Sequence, residues 1–145
     1  MGGMASLTIV IPGVPVAKGR PKLSTFGGHA RAYTPAKTRR YEDLIRLEGG
    51  RAMEGRALLG GPLAVEVRAF VAIPKSLSKA KRAAAIDGTL RPTTRPDVDN
   101  YAKTIDGLNG IAWHDDAQIV QLLTTKVYSE RPRLELHARE IGGGE

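Results

Sequence analysis

The chain has 145 residues, the size of one domain, and a domain of this length can bury a sizeable core. Its 22 lysines and arginines exceed its 15 aspartates and glutamates, so the net charge of +7 favours a polyanionic partner. Cysteine is absent and only three histidines are present, which excludes disulfides and thiolate metal sites and disfavours a histidine-rich zinc site. Because no apolar run is long enough to span a membrane, we expect a soluble, cytoplasmic protein.

The N-terminal third of the chain predicts a strand, a loop and a helix. The β-branched run at residues 6–12 ends in proline and predicts a buried strand. The stretch that follows is rich in Gly and Pro, which predicts a loop with a short hairpin. Thr34 predicts a helix N-cap and Pro35 the first helical position, while the glycines at residues 49–50 leave the end of this helix open.

The central part of the chain predicts one long strand and two helices. Residues 62–74 alternate partly and are rich in Val, Phe and Ile taken together, as in a long strand. Ser78 and Gly88 are placed to cap a short basic helix between them. A second helix is predicted from residue 98 or 99 to about residue 108, where an Asn-Gly pair makes a turn.

The C-terminal part predicts two more strands, at residues 117–128 and 133–139. We find no internal repeat and no linker long enough to divide the chain. The sequence therefore predicts a single α+β domain over residues 1–145, with a mixed β-sheet, packed helices and frayed ends at residues 1–5 and 141–145.

Five aspartates lie between residues 97 and 116. Asp97 and Asp99 are two residues apart, so in an extended segment both would lie on one side and could share a metal ion. Lys103 follows Asp99 by one helical turn, which would bring its ammonium group back towards the carboxylates. After the Asn-Gly turn, Asp115 and Asp116 could pack beside the first pair and complete a three-carboxylate cup.

Clustered carboxylates on a cation-rich chain suit metal-dependent phosphodiester hydrolysis. Mg²⁺ prefers a few carboxylate oxygens together with water and phosphate oxygens, and Mn²⁺ can substitute for it. The metal would polarise the phosphate and lower the pKa of an attacking water, while Lys103 could stabilise developing charge. The residues also allow a purely structural interpretation, in which Asp97, Asp99 and Asn100 form a turn or helix cap and residues 115–116 form a second polar turn.

At these residues the sequence resembles the RusA family of Holliday junction resolvases, which occur in bacteria and their prophages. The resemblance rests on Asp-x-Asp-Asn at residues 97–100, a lysine four residues after the second aspartate, and then Asp, Leu, Asn-Gly, Trp and Asp-Asp-x-Gln-Ile in order. It extends to IPGVPVAKGRP near the N-terminus, to RAYTP before the first helix and to the C-terminal strands, so nearly the whole chain is covered.

The resemblance implies a mixed α/β fold, a homodimer and a Mg²⁺-dependent endonuclease that cuts opposing strands of four-way DNA junctions in recombination and repair. By motif position it implies that Asp97, Asp99 and Asp116 are the catalytic, metal-binding aspartates and that Lys103 is the catalytic lysine. Asp115 is a further candidate metal ligand, although the family's essential carboxylate matches the second aspartate of this pair.

One departure from the family pattern concerns Asp106. The segment between Lys103 and the next aspartate is one residue shorter than in the family form that we compare, so Asp106 follows Lys103 by three residues instead of four. Both residues would still lie on one helical face, but the role of Asp106 is less defined than that of the core motif residues.

The basic residues form two groups. Seven cations and no acidic residue precede Glu42, and a second group between residues 75 and 95 is opposed only by Asp87. Lysine and arginine contacts to phosphate supply most sequence-independent DNA affinity, although for any single residue a solvated surface charge is the more common case. Lys18 and Arg20 are the first candidates, because they lie in the Gly/Pro-rich loop. The candidate DNA-binding residues are Lys18, Arg20, Lys22, Lys79, Arg82 and Arg95.

Two alternative functions stay open at this point. The first is a non-catalytic nucleic-acid-binding module whose acidic segment is only structural, and the second is a nuclease for RNA or other branched nucleic acids. Because aromatic residues are few, we expect little base stacking, and we expect Trp113 in the core.

Overall fold

The computed structural model describes residues 4–19, 22–24, 31–33 and 35–142, with the backbone alone at 22–24 and 31–33. Two short 3-10 segments lie in the C-terminal half, at Lys103–Leu108 and Asp116–Gln118. In chain order the strands and helices are β1 (Ser6–Pro12), β2 (Lys22–Ser24), β3 (Arg31–Tyr33), α1 (Ala36–Ala52), β4 (Leu63–Ala72), α2 (Lys79–Asp87), α3 (Val98–Ala102), β5 (Ile119–Ser129) and β6 (Arg133–Glu140).

Four of the strands form one mixed sheet in the order β1-β6-β4-β5. The β1-β6 and β6-β4 pairs are antiparallel, whereas β4 and β5 are parallel. Strands β2 and β3 form a separate antiparallel pair, as the predicted short hairpin requires. A parallel pair needs a long crossover connection, and here α2, α3 and both 3-10 segments lie in the crossover from β4 to β5. The predicted α+β domain with a mixed sheet is therefore confirmed. Residues 97–116, which contain the five aspartates, lie within this connection, and we call them the acidic crossover.

The core lies between one face of the sheet and the helices. Alternate residues of β1 and β6, such as Ile9 and Leu136, are buried on this face, while Thr8 and His137 lie on the opposite face and contact each other. Helix α1 packs against β1 and against the 3-10 helix Lys103–Leu108. No helix among the described residues is long and apolar enough to cross a bilayer.

Helix α1 begins one residue later than predicted and runs through both of its glycines. Pro35 occupies the N-cap and not the first helical position, and the predicted cap Thr34 lies outside the described residues. At Gly49 a Cβ atom would lie 2.6 Å from Cδ2 of the fully buried Leu108. Glycine is thus required there because α1 and the acidic crossover approach each other closely.

Both predicted caps of α2 are confirmed. The Ser78 hydroxyl accepts a hydrogen bond from the backbone N–H of Lys81 at 3.2 Å. Gly88 ends the helix in the left-handed region, with φ of 89°.

The helix predicted from residue 98 to residue 108 is divided in two, with α-helical geometry to Ala102 and 3-10 geometry from Lys103. The hydroxyl of the fully buried Thr104 donates to the carbonyl of Tyr101 at 2.6 Å. Such a local bond to the backbone competes with the regular helical ladder and favours a tighter turn. The next predicted strand also starts late, because residues 116–118 form a 3-10 turn before β5.

Candidate active site

The chain that leads into the acidic segment is fixed to the sheet by Lys126. This residue lies on β5, and its ammonium group donates to the carbonyls of Thr94 at 2.7 Å and Pro96 at 2.8 Å. Helix α3 itself packs against β4 and β5. On the other side, the backbone N–H of Lys18 donates to the Asn100 carbonyl at 2.9 Å. The start of α3 is therefore held from both the sheet and the loop after β1.

Asp97 is the N-cap residue of α3, with an extended backbone (φ −68°, ψ 150°) and an exposed side chain. Of the three residues named as a helix cap in the structural interpretation, Asp97 occupies the N-cap, whereas Asp99 and Asn100 lie inside the helix, because it begins at Val98. The Asp97 side chain makes no capping hydrogen bond, although its carbonyl accepts one from the backbone N–H of Asn100 at 3.1 Å. Its carboxylate therefore remains available to a ligand.

Asp99 lies in the first turn of α3 and is paired with Lys103. The Lys103 ammonium is 3.5 Å from Asp99 Oδ2 and 3.5 Å from Asn100 Oδ1, so it does turn back towards the start of the helix as predicted. The extended arrangement predicted for Asp97 and Asp99 is wrong, because Asp99 is already helical. The side chains of Asp99 and Lys103 are 66% and 57% exposed, and such an open ion pair adds little stability.

Asp115 has a structural role as the N-cap of the 3-10 turn Asp116–Gln118. Its side chain accepts from the backbone N–H of Ala117 at 2.9 Å, and the Gln118 side chain accepts from the backbone N–H of Asp115 at 2.9 Å. These two contacts form a capping box. The Gln118 amide also donates to the carbonyls of Leu59 and Gly61, which anchors the turn beside β4.

Asp116 contacts the core instead of capping the turn. Its Oδ1 accepts a hydrogen bond from the indole Nε1 of Trp113 at 2.9 Å, and the same N–H lies 3.2 Å from Asn109 Oδ1. Trp113 is fully buried, as predicted. Because the buried ring cannot rotate freely, it fixes the orientation of a half-buried carboxylate at the surface.

The carboxylates of Asp97, Asp99 and Asp116 suit a hard cation, but they do not form a closed metal-binding cluster. Among the described residues, no group of three or more His, Asp or Glu side chains lies close enough to hold a metal ion, so the predicted three-carboxylate cup is not formed there. Asp99 is instead paired with Lys103, and Asp116 with Trp113. Mg²⁺ commonly binds through one or two carboxylates, with water and phosphate oxygens completing the shell, so exposed aspartates fit it. The role of Asp97, Asp99 and Asp116 as ligands stays a prediction.

Lys18, a predicted DNA contact, is held in ion pairs within the protein. Its ammonium lies 3.2 Å from Glu42 Oε2 on α1 and 3.4 Å from Asp106 Oδ2 in the 3-10 helix. Burial lowers the pKa of Lys18, but the two carboxylates raise it more, so the net pKa is raised and the side chain stays charged. Asp106 therefore connects the acidic crossover to the loop after β1.

The other predicted DNA contacts lie on different parts of the chain. Arg20 and the side chain of Lys22 lie outside the described residues. Lys79 and Arg95 are exposed, at the start of α2 and just before α3, and the Arg82 guanidinium is 3.8 Å from a Glu130 carboxylate. Their contacts with DNA stay a prediction.

Lys126 is the residue at this site that sequence reasoning missed. It is the only charged residue in β5. A single cation in an otherwise uncharged strand was the signal available, but its partners lie about thirty positions earlier and cannot be read from a local pattern.

Comparisons with known proteins establish the family of this chain. Residues 12–139 match the family described as Endodeoxyribonuclease RusA. The chain is also 38% identical over 141 residues to a Bacillus subtilis (strain 168) protein described as uncharacterized protein YqaN, with 95% of this chain and 99% of that protein covered. Because the family match spans most of the chain, including every described residue of the acidic crossover, this protein belongs to the RusA family of endodeoxyribonucleases.

Proposed function

We propose that this protein is a Mg²⁺-dependent endonuclease that resolves four-way DNA junctions as a homodimer, in recombination and repair. The observation that carries the proposal is the start of α3. There Asp97 occupies the N-cap position without using its carboxylate as a cap, and the Asp99–Lys103 pair lies within one turn of it. A purely structural turn would be expected to use these side chains as caps, as Asp115 does.

The chemistry follows from the side chains around α3. Mg²⁺, when bound, would polarise the scissile phosphate and lower the pKa of the attacking water. Asp97 and Asp99 would supply ligand oxygens from the helix start, and Asp116 would supply one oxygen while Trp113 holds the other. Lys103 is a flexible point cation beside Asp99, and its ammonium could stabilise charge on the phosphate or the leaving oxygen.

DNA would bind through phosphate contacts distributed over the basic surface. The net charge of +7 and the exposed cations Lys79 and Arg95 near the acidic crossover support this. Lys22, Arg20, Arg82 and Lys18 are the further candidates, although the ion pairs of Lys18 would have to open or be shared for a phosphate contact. Binding of this kind weakens steeply as salt concentration rises.

A homodimer suits the proposed substrate. A four-way junction with approximate two-fold symmetry offers two equivalent scissile phosphates, and a two-fold protein offers two equivalent sites.

The test is cleavage of a synthetic four-way junction in Mg²⁺ by the wild type and Asp97→Asn. We expect Asp97→Asn to lose cleavage while it still binds the junction in a gel-shift assay, because the amide is a poor ligand for Mg²⁺ but leaves the basic surface intact. The matched control is Asp43→Asn, an exposed aspartate on α1 that is paired with Arg46, and it should cleave normally.

Three outcomes would contradict parts of this proposal. Cleavage that continues undiminished in EDTA would exclude the metal dependence. Binding without cleavage in either Mg²⁺ or Mn²⁺ would favour a non-catalytic module. Equal or faster cleavage of RNA, duplex or single-stranded DNA in parallel assays would favour a nuclease for other substrates.

A further inference from the structure

Lys126 has an unusual position for a strand lysine. It pairs in register with Ala69 of β4, whose side chain is fully buried, so Lys126 lies on the face of the sheet that the helices cover. Its side chain is partly buried and ends at the carbonyls of Thr94 and Pro96. The ammonium group is thus directed at the backbone immediately before Asp97.

Two hydrogen bonds from one cation restrict this backbone strongly. The donor–acceptor distances of 2.7 Å and 2.8 Å are typical of charge-assisted hydrogen bonds, which are stronger than neutral ones. The two carbonyls flank residue 95, and the second belongs to the peptide that joins Pro96 to Asp97. Lys126 therefore fixes the orientation of the peptide from which the Asp97 side chain projects.

Apart from the buried Pro92, the residues of the stretch 91–96 are exposed. Among the described residues, no other hydrogen bond joins residues 91–96 to a different element of the fold. The chain before it is anchored at Leu90, whose backbone N–H donates to the Ala84 carbonyl, and the chain after it at α3. The position of Asp97 relative to the sheet thus depends on Lys126 as well as on the packing of α3 against β4 and β5.

We propose that Lys126 is a positioning residue that sets Asp97 for metal binding. The inference rests on the proposed function, since it takes Asp97 to be a metal ligand. Groups that orient a ligand from outside the metal shell commonly change metal affinity or activity by about 10- to 100-fold when they are removed. Lys126 would act in this way through the backbone and not by touching the metal or the DNA.

The primary test measures metal binding without DNA or catalysis. Wild type and Lys126→Met would be titrated with Mn²⁺, and free Mn²⁺ would be followed by its electron paramagnetic resonance signal. We expect about tenfold weaker Mn²⁺ binding by Lys126→Met. Lys126→Arg retains a cation with several donors and should bind nearly as the wild type does. Arg139→Met, which removes an exposed cation from β6, is the matched control and should not differ from the wild type.

The second measurement is junction cleavage as a function of Mg²⁺ concentration. A positioning role predicts that Lys126→Met needs about tenfold more Mg²⁺ for half-maximal cleavage and recovers most of the rate at saturating Mg²⁺. A merely structural role would instead lower the rate at every Mg²⁺ concentration with no shift of the midpoint, and that result would overturn the proposal.

The remaining outcomes separate this inference from the proposed function. If the wild type neither binds Mn²⁺ nor cleaves, the proposed function fails and the inference falls with it. If the wild type does both and Lys126→Met binds Mn²⁺ equally well, only the positioning role is overturned. Should Lys126→Met fail to fold, Lys126→Gln is the second variant. It removes the charge and shortens the side chain, so we expect weaker Mn²⁺ binding, and unchanged Mn²⁺ affinity in that variant overturns the role.

Discussion

Asp115 and Asp116 are adjacent in the chain, yet their carboxylates have different partners. Asp115 bonds to the backbone N–H of Ala117 and closes a capping box, whereas Asp116 accepts from the indole of Trp113. The first contact can be replaced by any good capping side chain, while the second orients a carboxylate at the surface. At the residue scale the two aspartates should therefore respond differently to the same substitution.

We predict that Asp116→Asn loses junction cleavage by at least about a hundredfold, while Asp115→Asn stays within a few-fold of the wild type. Asparagine caps helices about as well as aspartate, so the turn should survive in Asp115→Asn. Single-turnover cleavage at saturating Mg²⁺ measures both rates. Equal losses in the two variants would mean that Asp115 is also a metal ligand, as the sequence motif allows.

Trp113 offers a direct signal of events at Asp116. It is the only tryptophan, it is fully buried, and its N–H lies 2.9 Å from Asp116 Oδ1. We expect its fluorescence to change as Mg²⁺ is added to the DNA-free protein, because a cation on the carboxylate alters the charge next to the indole. The change should disappear in Asp116→Asn. A response of equal size in that variant would show that the tryptophan senses something other than this carboxylate.

At the element scale, features that depend on neighbouring residues could be predicted from the sequence, whereas contacts between residues distant in the chain could not. Ser78 and Gly88 are confirmed as caps because capping depends on residues within one turn. The division of residues 98–108 into α and 3-10 helix was missed, since it depends on how the buried Thr104 bonds. Lys126 was missed because its partners are about thirty residues away in sequence. The motif itself predicted the Asp99–Lys103 contact, because helical spacing alone brings the pair together.

The two adjacent glycines of α1 give an element-scale prediction with an internal control. In Gly49→Ala the new methyl group would meet buried Leu108 at 2.6 Å, and overpacking of this kind costs about 1–3 kcal/mol. The better helix propensity of alanine, worth about 1 kcal/mol, offsets only the low end of this cost. In Gly50→Ala nothing lies within 4 Å, so only the propensity gain remains.

In urea unfolding the two variants should therefore change the free energy of unfolding in opposite directions. We expect a decrease for Gly49→Ala and an increase for Gly50→Ala. A stabilised Gly49→Ala would mean that α1 and the acidic crossover are less tightly packed than the structure indicates. In that case the crossover would be held mainly by its polar contacts, such as those of Lys18 and Lys126.

At the scale of the whole molecule, the sheet has two edges, and β5 forms the one beside the acidic crossover. Its first half exposes Val120, Leu122 and Leu123 by 61%, 51% and 59%, and it has no charge before Lys126. Soluble proteins usually protect an edge strand with charges, proline or a covering element. An uncharged, apolar edge next to the proposed site is the surface that a second copy of the chain would most readily cover.

We predict that the protein has the mass of a dimer by light scattering and that Leu122→Lys shifts it towards the monomer, because a lysine on the edge would have to be buried in the contact. Ile86→Lys is the control, since Ile86 is also 51% exposed but lies on α2.

If the dimer couples two cuts in one junction, Leu122→Lys should release singly nicked junctions. A supercoiled cruciform plasmid reports these as open circles instead of linear DNA. A dimer unaffected by Leu122→Lys would place the contact elsewhere, whereas a wild-type monomer that still makes paired cuts would contradict the homodimer itself.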